Sequence, residues 1–333
     1  MNSAIIKGMG YYVPANVVTN EDLSKIIDTN DEWITERTGI KERRWINNDE
    51  STSSMALEAS KNAIADAGID KSAIDFIIFA TLSPDYYFPG PGVTLQKDLG
   101  LDTIGALDVR NQCSGFVYAL SIADQYIKTG MYTNILVIGS EYHSGGLDKT
   151  TRGRGVSVIF GDGAGAAIVS KSPSSDRGIL STHLHSQGEY AEELTLIGPS
   201  TRRWVPEIID GKGKEDEAIF PYMNGTFVFK HAVTRFPEVI NEALHQNNLT
   251  ASDLNLLIPH QANLRISQFV QKKMGLGEDQ VFNNIQKYGN TTAASIPIAL
   301  AEAKQAGKVK EGDLICLAAF GSGFTWASAL IRW

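Results

Sequence analysis

One cysteine stands where a thiol can do chemistry. Cys113 lies in the stretch LDVRNQCSGFVYALSIADQYIKTG, residues 107–130. Leu107 to Val109 read as the end of a strand, Ser114 and Gly115 as a tight turn, and Phe116, Val117, Leu120, Tyr126 and Ile127 recur at helical spacing until Gly130 stops the helix. A cysteine at such a strand-to-helix turn meets unpaired backbone N–H groups and the positive end of the helix dipole. Its thiol is therefore expected to ionise more readily than a free one. That makes Cys113 a candidate nucleophile; the alternative is an inert buried thiol, since free cysteine is among the most buried residue types. Two further polar residues fall in comparable places: His260 just past the apolar strand LNLLIP, and Asn290 at the start of the helix that follows VFNNIQKYG. Near the carboxyl terminus, FGSGFTW brackets Ser322 with Gly321 and Gly323. Such a turn can aim a backbone N–H at the cysteine, as an oxyanion hole requires, although an ordinary glycine turn has the same pattern.

The elements that must position these residues come in two similar sets. Residues 52 to 68 read as an alanine-rich amphipathic helix ending at Gly68, and Asp75 leads into the strand FIIFAT. A second helix near Gly92 to Leu99 precedes the Cys113 unit, the strand ILVIGSE follows it, and VSVIFGDGAGAAIVS reads as a hairpin of two strands. Gly161, Gly163 and Gly165 resemble a phosphate loop, but the strand residues Ala166 to Val169 follow them. The dinucleotide fingerprint needs an opening helix there, so a tight turn is the expectation. The region from Gln187 to Phe220 mixes charges with Gly, Pro and Lys, as a surface excursion or lid does. Beyond it the first pattern returns. A helix from Phe229 through His245 leads to LNLLIPH, which answers IDFIIFA, so that Asn255 matches Asp75 and His260 matches Ala80. In the same alignment Asn290 falls on Cys113, and the last strand, DLICLAAF, matches NILVIGSE and holds Cys316 as a buried core residue. Two such halves predict a five-layer or related α/β arrangement with pseudo-twofold symmetry. The site is expected between the halves, where the two helix starts converge.

Composition narrows the possibilities. A chain of 333 residues suits one large domain or two halves, and with 43% hydrophobic and 20% charged residues it reads as a globular protein without a membrane span. A formal charge of −8 argues against nucleic-acid binding. The amino terminus enters strand-like residues without a secretory pattern, so a cytoplasmic location is expected. The only cysteines, Cys113 and Cys316, imply no disulfide framework, and neither paired cysteines nor HExxH offers a metal site. One segment is locally basic: TNDEWITERTGIKERR, with Trp33, Arg37, Lys41, Arg43 and Arg44 around a turn that Asn30 or Asp31 caps. It reads either as a site for an anionic ligand carrying a stacking base or as a solvated turn with an anchored tryptophan.

Taken in order, NDEWITERTGI, DVRNQCSGF, GDGAGA, MNGTFVFKHAV, PHQANLRI, GNTTAASIP and FGSGFTW resemble the β-ketoacyl-acyl-carrier-protein synthase III family, condensing enzymes of the thiolase superfamily. The resemblance spans essentially the whole chain. It implies a thiolase-like five-layered αβαβα fold of two pseudo-duplicated halves, 1–172 and 173–333. It also implies a Cys–His–Asn set at Cys113, His260 and Asn290, with an oxyanion hole formed by the backbone amides of Cys113 and Ser322. Coenzyme A would meet Trp33 at its adenine and Arg37 and Arg154 at its phosphates, Arg265 would meet the carrier protein, and Phe88 would cross a homodimer interface to close the partner's acyl pocket. Ser322 stands where many relatives have glycine, Thr226 follows MNG where relatives often have Arg or Asn, and the 187–220 region is longer than in compact members.

The implied reaction is a ping-pong condensation of an acyl-CoA with malonyl-acyl carrier protein, with no cofactor beyond the thioesters. A cysteine hydrolase shares the order Cys, His, Asn, but the papain-type cysteine signature is absent. A non-catalytic carrier-docking subunit would lack the nucleophile. A specialised secondary-metabolite ketosynthase or acyltransferase of the same superfamily remains the nearest alternative; relatives that join two acyl-CoA chains carry glutamate where Phe88 aligns.

Overall fold

The computed structural model describes residues 3–47, 49–174 and 176–333. The strand FIIFA, Phe76–Ala80, is apolar on both faces and fully buried, as a strand covered by helices on either side must be. It sits inside a five-stranded sheet in the order Ala4–Tyr12, Gly163–Lys171, Asn134–Glu141, Phe76–Ala80, Gly105–Val109. The last three run parallel, and the first two are joined on antiparallel. A second sheet repeats this plan with Gly178–Ser186, Thr325–Arg332, Leu314–Gly321 and Leu256–Pro259. Its fifth strand is reduced to a single parallel bridge between Leu257 and Val281.

Helices fill the space between and outside the sheets. Gly115–Thr129 and Ser295–Gln305 are apolar and lie between them, where Phe116, Leu120, Ala299 and Leu300 share one core with Ile78 and Val137 of the first sheet and Leu317 and Ala329 of the second. Thr52–Ala67 covers the outer face of the first sheet, its stripe of Met55, Ala56, Ala59 and Ala63 resting on Ile77 and Phe79. Gly225–Gln246 and Leu264–Met274 cover the second. The result is the five-layered αβαβα arrangement. Caps fix the helix ends as the residue types require: Asn30 accepts from Trp33 N–H, and Gly68 and Gly130 take left-handed conformations. Among the described residues no helix is long and apolar enough to cross a membrane.

The repeat is visible in hydrogen bonds. Asp75 N–H donates to Asn134 O and its carboxylate accepts from Asn134 N–H; Asn255 makes the same two bonds with Leu314. His260 therefore does match Ala80. Asn290, however, does not match Cys113. Gln112 and Thr292 both adopt positive φ, +44° and +49°, and each opens a single helical turn that runs on into a central helix. Cys113 consequently corresponds to Ala293, three residues beyond Asn290. The shift arises where the second half has lost its fifth strand, so the chain between Val281 and the turn takes a longer, irregular path.

Two strand expectations also change. VSVIFGDGAGAAIVS is not a hairpin: its first arm is a helical turn, Arg154–Ser157, and Phe160 bridges only to Asn290 before the strand begins at Gly163. The partner that Gly163–Lys171 needs comes instead from Ala4–Tyr12 and Asn134–Glu141. DLICLAAF is not the last strand, since Thr325–Arg332 returns antiparallel beside it. Cys316 is fully buried in the core of the second sheet, as expected.

Candidate active site

Cys113 sits in the turn Gln112–Ser114, at the floor of a cavity of about 460 Å³, and is only 7% exposed. The turn is locked against the second sheet: Ser114 Oγ donates to Thr325 O at 3.0 Å, and Gly321 packs directly on Cys113, leaving no room for a Cβ. The backbone N–H groups of Ser322 and of Cys113 itself both bear on the sulfur in the sense that favours its charged form. Those two amides are the expected oxyanion pair, and they converge on the sulfur. The expected easy ionisation is corrected, however. Burial pushes the thiol up to about 12, outweighing the two amides, and the buried Glu141 adds to the rise. The turn geometry is present, but burial opposes the charge it would favour.

His260 and Asn290 line the same cavity. His260 follows the buried strand Leu256–Pro259, and its N–H donates to Ala318 O at 2.7 Å, which sets the ring at the sheet's edge. Its Nδ1 lies 2.6 Å from Ser295 Oγ, while Nε2 is buried without a partner. Gln261 N–H already donates to Ser295 Oγ. When the Ser295 hydroxyl donates to Nδ1, the ring proton is on Nε2 and faces the cavity. Burial, helped by the neighbouring His143, pulls the His260 pKa down to about 3, so the ring is neutral near pH 7 and acts as an N–H donor. The Asn290 backbone is pinned by Ile159 O and Gly161 N–H, and its Oδ1 accepts from Thr292 N–H at 2.8 Å. That bond fixes the carbonyl end of the amide and leaves the NH2 end as the donor.

At the mouth, Trp33 meets two guanidinium groups: Arg37 at 4.5 Å and Arg154 at 4.6 Å from its ring. Arg37, Thr38, Asn263 and Arg265 share the rim, and Asn263 Nδ2 ties the second half to Arg37 O. Of the residues of the basic turn named above, Trp33 and Arg37 line the cavity. Arg43 is wholly buried, donating to Val18 O, Asn20 Oδ1 and Val158 O, and Arg44 pairs with Glu42. Arg43 thus staples the turn to the fold and faces no ligand. Arg154 stacks on Trp33 from outside the cavity, and Thr226 lines its wall. Phe88 is elsewhere, 80% exposed beside Tyr86 and Tyr87 and absent from its own chain's cavity lining.

Two residues missed in the sequence stand close by. Glu141 ends its strand fully buried, accepting from Thr81 Oγ1, Leu82 N–H and Ser83 Oγ, with the Ala293 N–H bearing on it in the sense that favours its charge, and burial raises its pKa to about 7. His143 lies 2.8 Å through Nε2 from Thr292 Oγ1 and packs at a tilt on Phe160, 4.7 Å between centroids, and burial holds its pKa down to about 3. The signal was available: Glu141 ends, and His143 follows, the strand that answers the one ending at Gly321.

Comparison with known proteins gives one family. Residues 107–188 match 3-oxoacyl-[acyl-carrier-protein (ACP)] synthase III, and residues 244–333 match its C-terminal family. A β-ketoacyl-[acyl-carrier-protein] synthase III of Aliivibrio fischeri is 46% identical over 327 residues, covering 98% of each chain. The crystal structure of 3-oxoacyl-[acyl-carrier-protein] synthase III from Aquifex aeolicus superposes with a TM-score of 0.90 at 43% identity and covers 100% of both chains. A priming β-ketosynthase of a polyketide biosynthetic pathway superposes with a TM-score of 0.89 at 32% identity, covering 99% of this chain and 96% of the other.

Proposed function

The chain belongs to the 3-oxoacyl-[acyl-carrier-protein] synthase III family, and from that membership we propose that it condenses an acyl-CoA starter with malonyl-acyl carrier protein through an acyl-cysteine, the step that initiates fatty acid synthesis. It is a condensing, acyl-transferring enzyme. The observation that carries the residue assignment is the meeting of Cys113, His260 and Asn290 on one cavity with Trp33 and Arg37 at its mouth.

In the first half-reaction, Cys113 Sγ attacks the thioester carbonyl of the acyl-CoA. The negative charge that develops on the carbonyl oxygen falls to the N–H groups of Cys113 and Ser322. Cys113 having lost its proton to solvent, the C–S bond to coenzyme A breaks, coenzyme A leaves as a thiolate that solvent protonates, and the acyl group stays on sulfur. Trp33, flanked by Arg37 and Arg154, offers a face for a base and charge for phosphates. In the second half-reaction, His260 Nε2–H and the Asn290 NH2 donate to the malonyl thioester carbonyl. As the carbon–carbon bond to the carboxylate breaks and carbon dioxide departs, the electron pair is held as an enolate. Its carbon attacks the acyl-cysteine, a β-ketoacyl thioester forms, and Cys113 is expelled and reprotonated.

Arg265 is exposed at the rim on the first turn of its helix, a place from which it can meet the carrier protein. A homodimer closed by Phe88 and a cytoplasmic location belong to the same reading, as does a division into halves 1–172 and 173–333. The two sheets support that division, since one is built from strands before Ser172 and the other from strands after Arg177. Priming of a polyketide chain is the second reading, favoured by the polyketide ketosynthase likeness; the greater identity to the fatty acid enzymes favours the first.

The test separates the half-reactions. Cys113→Ser is expected to form no acyl adduct by intact mass after incubation with acyl-CoA. His260→Ala is expected to load but to decarboxylate malonyl-acyl carrier protein more slowly by ~100-fold, the scale seen when an oxyanion donor is removed. Normal loading by the serine variant refutes the nucleophile, and normal decarboxylation by the alanine variant refutes the donor.

A further inference from the structure

One imidazole outside the reacting set, that of His143, reaches Asn290 by a short chain of contacts. Asn290 has little freedom in its backbone, pinned between Ile159 O and Gly161 N–H and bridged to Phe160. Its side chain is another matter. The amide is oriented by one bond, the 2.8 Å donation from Thr292 N–H to Oδ1. Thr292 itself holds φ at +49°. A β-branched residue is costly in the left-handed region and persists there only where its surroundings hold it. The hydroxyl of Thr292 supplies such a hold, lying 2.8 Å from His143 Nε2.

His143 is itself well anchored. Its backbone N–H donates to Asp162 Oδ1 at 2.7 Å, and its ring packs at 4.7 Å on Phe160, the residue whose backbone bridges Asn290. One imidazole thus braces both the backbone neighbour of Asn290 and the threonine that aims its side chain. We infer that His143 is a positioning residue for the malonyl half-reaction, holding Thr292 in place by its hydroxyl and, through the Thr292 N–H, the Asn290 amide with its NH2 toward the substrate carbonyl. This rests on the functional reading above. His143 stays neutral near pH 7, so replacing it leaves the charge beside His260 unchanged and isolates the geometric role.

The experiment measures acyl loading from acyl-CoA and decarboxylation of malonyl-acyl carrier protein for wild type, His143→Leu, His143→Gln, Asn290→Ala and the His143→Leu/Asn290→Ala double variant. His143→Leu is expected to load normally and to decarboxylate about tenfold more slowly, short of the ~100-fold loss expected when the donor is removed outright. Glutamine can hydrogen-bond to Thr292 Oγ1 and is expected to recover most of the rate. In the Asn290→Ala background, His143→Leu is expected to cost nothing more, because the two act through one amide. A full leucine penalty in both backgrounds overturns the inference, as does equal loss of loading and decarboxylation, or a leucine variant with the wild-type rate. Should leucine prevent folding, Thr292→Val removes the hydroxyl at constant shape and carries the same expectations. Wild-type protein that loads but never decarboxylates overturns the functional reading and the inference with it; failure of the His143 arms alone leaves that reading standing.

Discussion

Gly321→Ala is a test of how tightly the nucleophile is held. Gly321 ends the buried strand Leu314–Gly321 in extended conformation, so the substitution brings no backbone strain of its own. The cost is contact. A methyl group there would lie closer than 3.0 Å to both Cβ and Sγ of Cys113, whereas carbon atoms rest at about 3.5–4.0 Å. Relief requires the Cys113 turn to give by roughly an ångström. It has little slack, since Ser114 Oγ is bonded to Thr325 O on the next strand. Overpacking of this kind destabilises by about 1–3 kcal/mol. Displacing a reacting atom by about an ångström can cost ~100-fold in rate, so loading is expected to fall by about 10- to 100-fold. Quenched acylation by acyl-CoA, followed by intact mass, reads the rate, and thermal melting reads a Tm lower by a few degrees. Gly188→Ala, where a new methyl meets nothing within 4 Å, serves as the control and is expected to load and melt as wild type does. A Gly321→Ala protein that loads at the wild-type rate with an unchanged Tm would show that the strand does not hold the sulfur, and the reasoning fails.

Two further outcomes follow from exposure and charge. Phe88, 80% exposed with Tyr86 and Tyr87 beside it, is expected to be covered in a dimer: light scattering should give twice the chain mass, and Phe88→Ala should shift loading toward longer or bulkier acyl chains. A fully active monomer, or an unchanged chain-length profile, removes Phe88 from the site. The Cys113 thiol, pushed up to about 12 by burial, reacts as its deprotonated form, so raising the pKa lowers the reactive fraction at every working pH. Loading is then expected to rise by about tenfold per pH unit through the neutral range, because the thiolate fraction of a group titrating far above that range grows by that factor. A plateau near neutrality would mean that the helix dipole and the two amides prevail over desolvation.

What could be read from the sequence depended on the range of the interaction involved. The apolar periods of Phe76–Ala80, Thr52–Ala67 and the Cys113 helix are local, and they placed those elements to within a residue or two. The match of Asn255 to Asp75 was also local, and both side chains bond the same way. Long-range facts were out of reach. Whether Gly163–Lys171 pairs with the segment before it or with Ala4–Tyr12 depends on packing against Thr52–Ala67, not on the glycines that punctuate it. The ionisation of Cys113 was misjudged for a related reason: a helix start is visible in sequence, but the burial that outweighs it comes from Gly321 on a distant strand. Arg43 looked like its neighbours Arg37 and Arg44 and differs only in facing inward.

The misplaced repeat bears most on function. Gln112 and Thr292 bend the chain alike, and each turn packs on the opposite sheet's strand, Cys113 against Gly321 and Ala293 against Gly139. A duplicated fold therefore builds two equivalent anion-attracting turns. In the second, the Ala293 N–H is answered by the Glu141 carboxylate, so that turn already has its partner. In the first, the corresponding strand ends in Gly321 and Ser322, which bring no carboxylate, and the N–H groups are left to the cysteine sulfur and to whatever charge develops beside it. One acidic side chain at the end of one strand thus breaks the symmetry. Because Ala293 and not Asn290 occupies the position equivalent to Cys113, the second turn is free of chemistry of its own. Asn290, three residues upstream and aimed by Thr292, is left to serve the first turn together with His260.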